Sequence, residues 1–279
     1  MASDAPMASR LPPIRRARGF RLYDVKGRRY LDLHRDGALL GHRESGTLTV
    51  MKAVISQGLV SALPSIWERR LAAALGRLFP GYAEVRLYST AERARAAAGA
   101  YLGEEEGELP VLDPAVHGPA ASAAERGADA AYWRPFLPVV DARVLLPILP
   151  ARVGDCPSPV CFDREAHSRV PPSDTMPGFM LAGAARGLAA LAALRPAGSC
   201  PLSNRLLDRA LDAARGWTRR GPYVAAAFPE PEYADVREEF LRAGVLLSPG
   251  WPGPSVLPGE CSPGETRLLA ELFGGTPGG

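Results

Sequence analysis

Residues 19–33 read Gly-Phe-Arg-Leu-Tyr-Asp-Val-Lys-Gly-Arg-Arg-Tyr-Leu-Asp-Leu. Tyr23, Val25, Tyr30 and Leu31 are strand formers set around Asp24-Val25-Lys26-Gly27, and the pattern predicts a β-hairpin that turns at Lys26-Gly27. A lysine in such a turn is solvated. It is also scarce, because Lys26 and Lys52 are the only lysines among 33 basic residues.

Outward from the hairpin, a Gly-rich bend over 37–45 leads to a predicted helix from Thr47 to Leu63. A second follows, with Leu71, Ala74, Leu75 and Leu78 at helical spacing and Pro80-Gly81 as its stop. Glu84–Tyr88 alternates as a strand, meets Ser89-Thr90 and runs into the Ala-rich segment Ala91–Leu102, a strand, turn and helix unit. Leu109–Leu112, Val144–Leu149 and Pro159–Phe162 are short apolar runs suited to buried strands. Residues 104–108 read as a solvated loop and 119–129 as a short helix.

From Met180 the period becomes helical, with Leu181, Ala184, Leu188, Leu191 and Ala192 on one face. Ser203 is positioned to cap a helix that carries Leu207, Ala210, Leu211, Ala214 and Trp217 and ends near Gly221. Tyr223–Phe228 and Gly244–Leu247 read as strands flanking a helix over Ala234–Ala243, and Glu265–Phe273 is a closing helix. The pattern shows no internal repeat. The order predicts an α/β fold with a reduced central α/β layer and an α+β lobe built from the N- and C-terminal segments. Its divisions fall at 1–81, 82–195 and 196–279.

Composition narrows the function. A formal net charge of +3, with basic residues spread along the chain, argues against nucleic acid or an anionic membrane as partner. The N-terminus has no apolar h-region before its first basic cluster, so a cytoplasmic protein is expected. Phe179–Leu194 is too short to span a bilayer and is interrupted by Arg186. Cys156, Cys161, Cys200 and Cys261 show no CxxC spacing and no companion histidine pair, which disfavours zinc or a redox dithiol and leaves reduced, packed thiols.

Residues 19–27 with Tyr30-Leu31-Asp32, then Leu40-Gly41-His42, Ala53-Val54, Gln57, Pro64, Glu68, Leu71-Ala72 and Leu78-Phe79-Pro80-Gly81, form a signature over the first ninety or so positions. This signature resembles the class III aminotransferases of pyridoxal-phosphate fold type I, with glutamate-1-semialdehyde aminomutase among the similar enzymes. Residues 240–249, Phe-Leu-Arg-Ala-Gly-Val-Leu-Leu-Ser-Pro, are similar to that family's last lobe.

The resemblance implies pyridoxal phosphate as cofactor and a lysine that forms a Schiff base with it. In the family that lysine belongs to the large domain, whereas Lys26 and Lys52 lie in the N-terminal segment, and an arginine cannot replace it as a nucleophile. No catalytic residue is therefore assigned and no covalent cofactor is expected. The residual cofactor contacts that the resemblance implies are Ser89, Thr90, Glu92, His117, Gly118 and Asp163. The family's Ser-Gly-Ser/Thr-Glu-Ala phosphate turn has become Ser89-Thr90-Ala91-Glu92-Arg93. Its aromatic-His-Gly triplet has become Val116-His117-Gly118, without the stacking ring. Asp163 stands at the end of a strand, as does the family's acid for the pyridine nitrogen.

Each of these residues also has a structural reading. Ser89 would be the N-cap of the next helix. Asp163 would cap or pair with Arg164 or Arg169, and His117 would be a buried, hydrogen-bonded histidine. Cys161, Asp163 and His167 lack an oxyanion motif, and packing accounts for them better than hydrolase chemistry.

The expectation is a degenerate aminotransferase-like protein without Schiff-base transamination, acting in small-molecule binding or as a regulatory or interaction protein. Homodimerisation, or pairing with an intact aminotransferase, is the expected association. Two alternatives stay open. A different enzyme could reuse the old cleft, with Asp163, His117 and Glu92 convergent. An interaction subunit would instead show an open apolar patch.

Overall fold

The computed structural model describes residues 11–34, 39–104, 109–118, 122–194 and 205–275. They form two compact units, Met1–Arg43 with Cys200–Gly279, and Glu44–Ser199.

The hairpin forms as its alternation dictates. β1 (Ile14–Arg18), β2 (Arg21–Asp24) and β3 (Arg29–Asp32) make an antiparallel meander with Arg21 opposite Leu31 and Tyr23 opposite Arg29. The Asp24 carboxylate accepts from the backbone N–H of Lys26 and of Arg28, both at 2.8 Å, and Gly27 supplies the positive φ of the turn. Lys26 itself is exposed.

α1 (Ser45–Ser56) starts at Glu44, whose carboxylate accepts from Gly46 and Thr47 N–H at 3.0 and 2.6 Å. It stops seven residues before Leu63 because Gly58 turns the chain at φ +80°. α2 (Ile66–Leu78) is capped by Ser65. β4 (Glu84–Tyr88), α3 (Ala91–Leu102), β5 (Val111–Leu112), β6 (Ala130–Trp133), β7 (Val144–Pro147) and β8 (Ser158–Phe162) follow. Of the helix expected over 119–129, the described part is a short 3-10 turn at Ala123–Arg126.

The sheet order is β4-β8-β7-β6-β5. β5, β6 and β7 are parallel, and β8 runs antiparallel to both of its neighbours. β4 therefore shares the direction of β5 to β7. The C-terminal ends of four strands and the start of β8 meet at one edge of the sheet.

α4 (Gly178–Ala193) packs on α1 and α2, so these two helices belong with the α/β layer and not with a separate segment ending at residue 81. On the α1 side a Cβ on Gly183 would lie 2.9 Å from Met51 Sδ, and a Cβ on Gly187 would meet the chain after β7, 2.8 Å from the Pro150 carbonyl oxygen, a backbone contact that requires glycine there. Ala192, expected on the buried face, is exposed.

The C-terminal half completes the other unit with α5 (Arg205–Ala213), β9 (Trp217–Arg220), β10 (Tyr223–Ala226), α6 (Glu230–Ala243), β11 (Val245–Leu246), β12 (Ser255–Val256) and α7 (Pro263–Gly274). Trp217 opens a strand instead of closing a helix, because α5 ends at Ala213 and Gly221 turns β9 back onto β10. The expected cap Ser203 lies outside the described residues. β11 joins β3 in parallel, Val245 opposite Leu31. Trp217 sits edge-on to Phe228 and Phe273 at 5.2 and 5.0 Å, contacts worth about 1 kcal/mol each beyond burial. Arg21 reaches Glu265 through Nε at 2.8 Å and Nη2 at 2.6 Å, tying β2 to α7, whose N-terminus Glu265 closes in a capping box with Ser262.

Candidate functional site

In α/β sheets ligands bind beyond the carboxyl ends of the strands, so the shared edge of β4 to β7 is the candidate site. β4 ends at Tyr88, and α3 begins three residues later, at Ala91. Its N-cap is Thr90, whose Oγ1 accepts from Arg93 N–H at 3.2 Å. The cap expected at Ser89 is thus displaced by one residue.

Ser89 is engaged elsewhere. Its backbone N–H and its hydroxyl both donate to Asp174 Oδ2, at 2.9 and 2.7 Å. Arg93, one turn into α3, donates through Nε to the same oxygen at 2.7 Å and through Nη2 to Oδ1 at 2.5 Å. The Arg93 guanidinium, helped by the Ser89 donors, holds the Asp174 carboxyl down at about 2. Glu92 is exposed on the first turn of α3, where a carboxylate complements the helix dipole.

The edge continues at β5 and β6 with a second neutralised carboxylate. Asp113, next after β5, accepts from Arg134, next after β6, at 2.7 Å (Nε to Oδ1) and 2.6 Å (Nη2 to Oδ2). Both side chains are buried. Asp113 Oδ1 also accepts from Ala115 N–H at 3.0 Å, which turns the chain away from the strand.

His117 is exposed, contrary to the expected buried histidine. Its Nδ1 accepts from the Asp113 backbone N–H at 2.9 Å, which leaves the ring proton on Nε2. Gly118 follows at φ +95°.

Asp163 does not join this group. β8 is antiparallel to β4, with Glu84 opposite Phe162 and Tyr88 opposite Ser158. Asp163 therefore leaves the sheet at the far edge, one five-residue strand or about 15 Å from Ser89. There it accepts from the Tyr101 hydroxyl at 2.5 Å, instead of pairing with Arg164 or Arg169. It lines a cavity of about 250 Å³ with Asp129, Asp141 and Arg143. Asp163, His117 and Glu92 are scattered, which sets aside an enzyme built on their convergence.

Cys161 is enclosed in β8, and burial pushes its thiol up to about 12. His167 stacks on the Tyr101 ring at 5.9 Å. Packing accounts for both. Among the described residues no group of His, Cys, Asp or Glu is placed to hold a metal, and no helix is long and apolar enough to cross a membrane.

The residues that sequence reasoning missed are Asp113, Arg134 and Asp174. Asp113 could have been found, because it directly follows a predicted strand. Asp174 carries no local signal, since its partners are more than eighty residues away.

No family model matches the chain. It is 31% identical over 304 residues to an uncharacterized protein of Treponema pallidum (strain Nichols), covering 92% of each. It is 44% identical over 69 residues to an uncharacterized protein of Borreliella burgdorferi, covering 24% of this chain and 26% of that one. Among solved structures it is similar to an ornithine aminotransferase from Plasmodium yoelii, at a TM-score of 0.68 and 16% identity over 93% of this chain and 92% of that one. It is also similar to an amine transaminase with bound pyridoxal phosphate from an uncultivated Pseudomonas species, at 0.65 and 14% over 98% and 96%. The fold is that of the aminotransferases.

Proposed function

The chain belongs to the same family as the Treponema pallidum protein and has the aminotransferase fold, and on that premise we propose that it is a degenerate, non-catalytic class III relative that performs no Schiff-base transamination. One observation carries this reading: the strand-end edge has no lysine. Lys26 occupies the turn of the other unit's hairpin and Lys52 is exposed on α1. The remaining residues do not fit pyridoxal phosphate either. Ser89 and Arg93 are committed to Asp174, Thr90 stands where the family's turn has glycine, and Asp163 is at the wrong edge of the sheet.

The experiment is incubation with pyridoxal phosphate, borohydride reduction and intact-mass measurement. The reading expects an unchanged mass. A stoichiometric adduct of reduced cofactor on either lysine contradicts it.

For what the protein does instead, one observation favours association over small-molecule binding. Ile55, Val60, Leu63 and Ile66, close in sequence where α1 passes to α2, are each 43 to 54% exposed, and exposed apolar residues of this kind support an interaction surface. The occupant in this reading is a second aminotransferase-fold chain, either a copy or an intact aminotransferase. Native mass spectrometry of the protein alone and with such an enzyme tests it. Association that Leu63→Asp abolishes is expected, and a monomer under both conditions contradicts it.

A further inference from the structure

The strongest unexplained arrangement in the molecule is the carboxylate at the head of α3. A helix N-terminus, a serine with free choice of rotamer and an arginine one turn on are the donors that recognise a tetrahedral oxyanion. Here the Ser89 N–H and hydroxyl and the Arg93 guanidinium converge on one side chain of the chain itself, while the Arg93 backbone N–H stays with the Thr90 cap. Asp174 has not wandered there. Leu87 of β4 accepts from Asp174 N–H at 2.8 Å and donates to Ser173 Oγ at 3.1 Å, so residues 173 and 174 pair along the open edge of β4. The segment before them is fixed as well. Arg86 donates to the carbonyls of Val170 and Pro171 at 2.7 and 2.9 Å, and the Tyr88 hydroxyl to Pro171 at 2.7 Å. Val170 and Met176 anchor the strap on either side with buried side chains.

We propose that Asp174 is a resident anion: its carboxylate fills the oxyanion position at the N-terminus of α3, and the strap from 166 to 176 closes to phosphate a site that Ser89 and Arg93 would otherwise offer to a phosphomonoester. The edge-strand pairing makes this a built feature, because the strap covers backbone groups of β4 that an edge strand leaves open. Cys156 and Tyr88 also lie near the carboxylate. Neither carries positive charge, and the counter-ion is Arg93.

The test is a titration with inorganic phosphate, followed by calorimetry, on the wild type, Asp174→Ala and Asp174→Ala combined with Arg93→Gln. Asp174→Ala is expected to bind phosphate at least about tenfold more tightly than the wild type, a gain of about 1.4 kcal/mol, and the added Arg93→Gln to remove that gain. Equal binding by wild type and Asp174→Ala overturns the proposal. Asp174→Asn, of the same shape and without the charge, is the second variant and is expected to show a smaller gain. No gain in either variant, or loss of the fold in both, makes Asp174 a structural cap and also overturns it. Inorganic phosphate has no aldehyde, so this result is independent of whether a lysine adduct forms.

Discussion

The two edges of the five-stranded sheet treat their carboxylates differently. At the edge where β4 to β7 end, Asp174 and Asp113 are each held in a fork by an arginine, with backbone N–H groups completing their shells. At the opposite edge Asp129, Asp141 and Asp163 gather about a shallow cavity, and Arg143 meets Asp129 only at 3.4 Å with both side chains half exposed. At the edge that α/β proteins use for ligands, the forked carboxylates Asp174 and Asp113 are already satisfied from within. Charged residues at a fold's usual ligand edge are therefore not evidence of a ligand until their internal partners have been counted.

The largest effect that could break this contrast is at the Asp113–Arg134 pair. Arg134→Ala leaves a buried carboxylate without its counter-ion and should cost about 3 to 5 kcal/mol in urea denaturation. A loss below about 1 kcal/mol would mean the pair is not buried in solution.

Asp174→Asn should cost less, about 1 kcal/mol, because Arg93 is half exposed and solvent screens the pair. Its pH dependence sharpens the point. The folded carboxyl titrates at about 2, below its unfolded value near 3.9. The contribution is thus fully present above about pH 4 and is lost as pH falls through 2. The stability gap between wild type and Asp174→Asn should stay constant from pH 7 to 5 and close below 4. A gap that closes near neutral pH contradicts the assignment.

At the far edge Asp163→Asn should cost under about 1 kcal/mol, since the amide oxygen still accepts from the Tyr101 hydroxyl. For His117→Ala a loss of about 0.5 to 1 kcal/mol is expected, because the exposed ring accepts the Asp113 N–H and its removal leaves that donor to water. An effect there as large as that of Arg134→Ala would make the ring, and not the guanidinium, the main support of Asp113.

The elements legible in the sequence were those with local signals. Glu84–Tyr88 alternates and Ala91–Leu102 is Ala-rich after a hydroxyl residue, and both segments fold over those residues. The Lys26-Gly27 turn was readable for the same reason. β6 was not, because Ala130-Ala131 has little strand propensity and gains its place only by lying between β5 and β7. β1, with the sequence Ile-Arg-Arg-Ala-Arg, is a mostly exposed edge strand with no apolar face to read.

The site was the least legible part. A strand-end aspartate looks the same in sequence whether its strand runs with the sheet or against it. Only the reversed direction of β8 moves Asp163 to the far edge. Asp174 reaches Ser89 across 85 positions through a strap rich in proline, and no local pattern encodes that contact.

A crystal structure of the wild-type protein grown with phosphate and pyridoxal phosphate decides whether the Asp174 and Asp113 carboxylates at the ligand edge of this aminotransferase fold keep their internal partners. The expected structure has the Asp174 carboxylate on Ser89 and Arg93, with no anion at the head of α3. A phosphate group bound there, with Asp174 turned away, would contradict it.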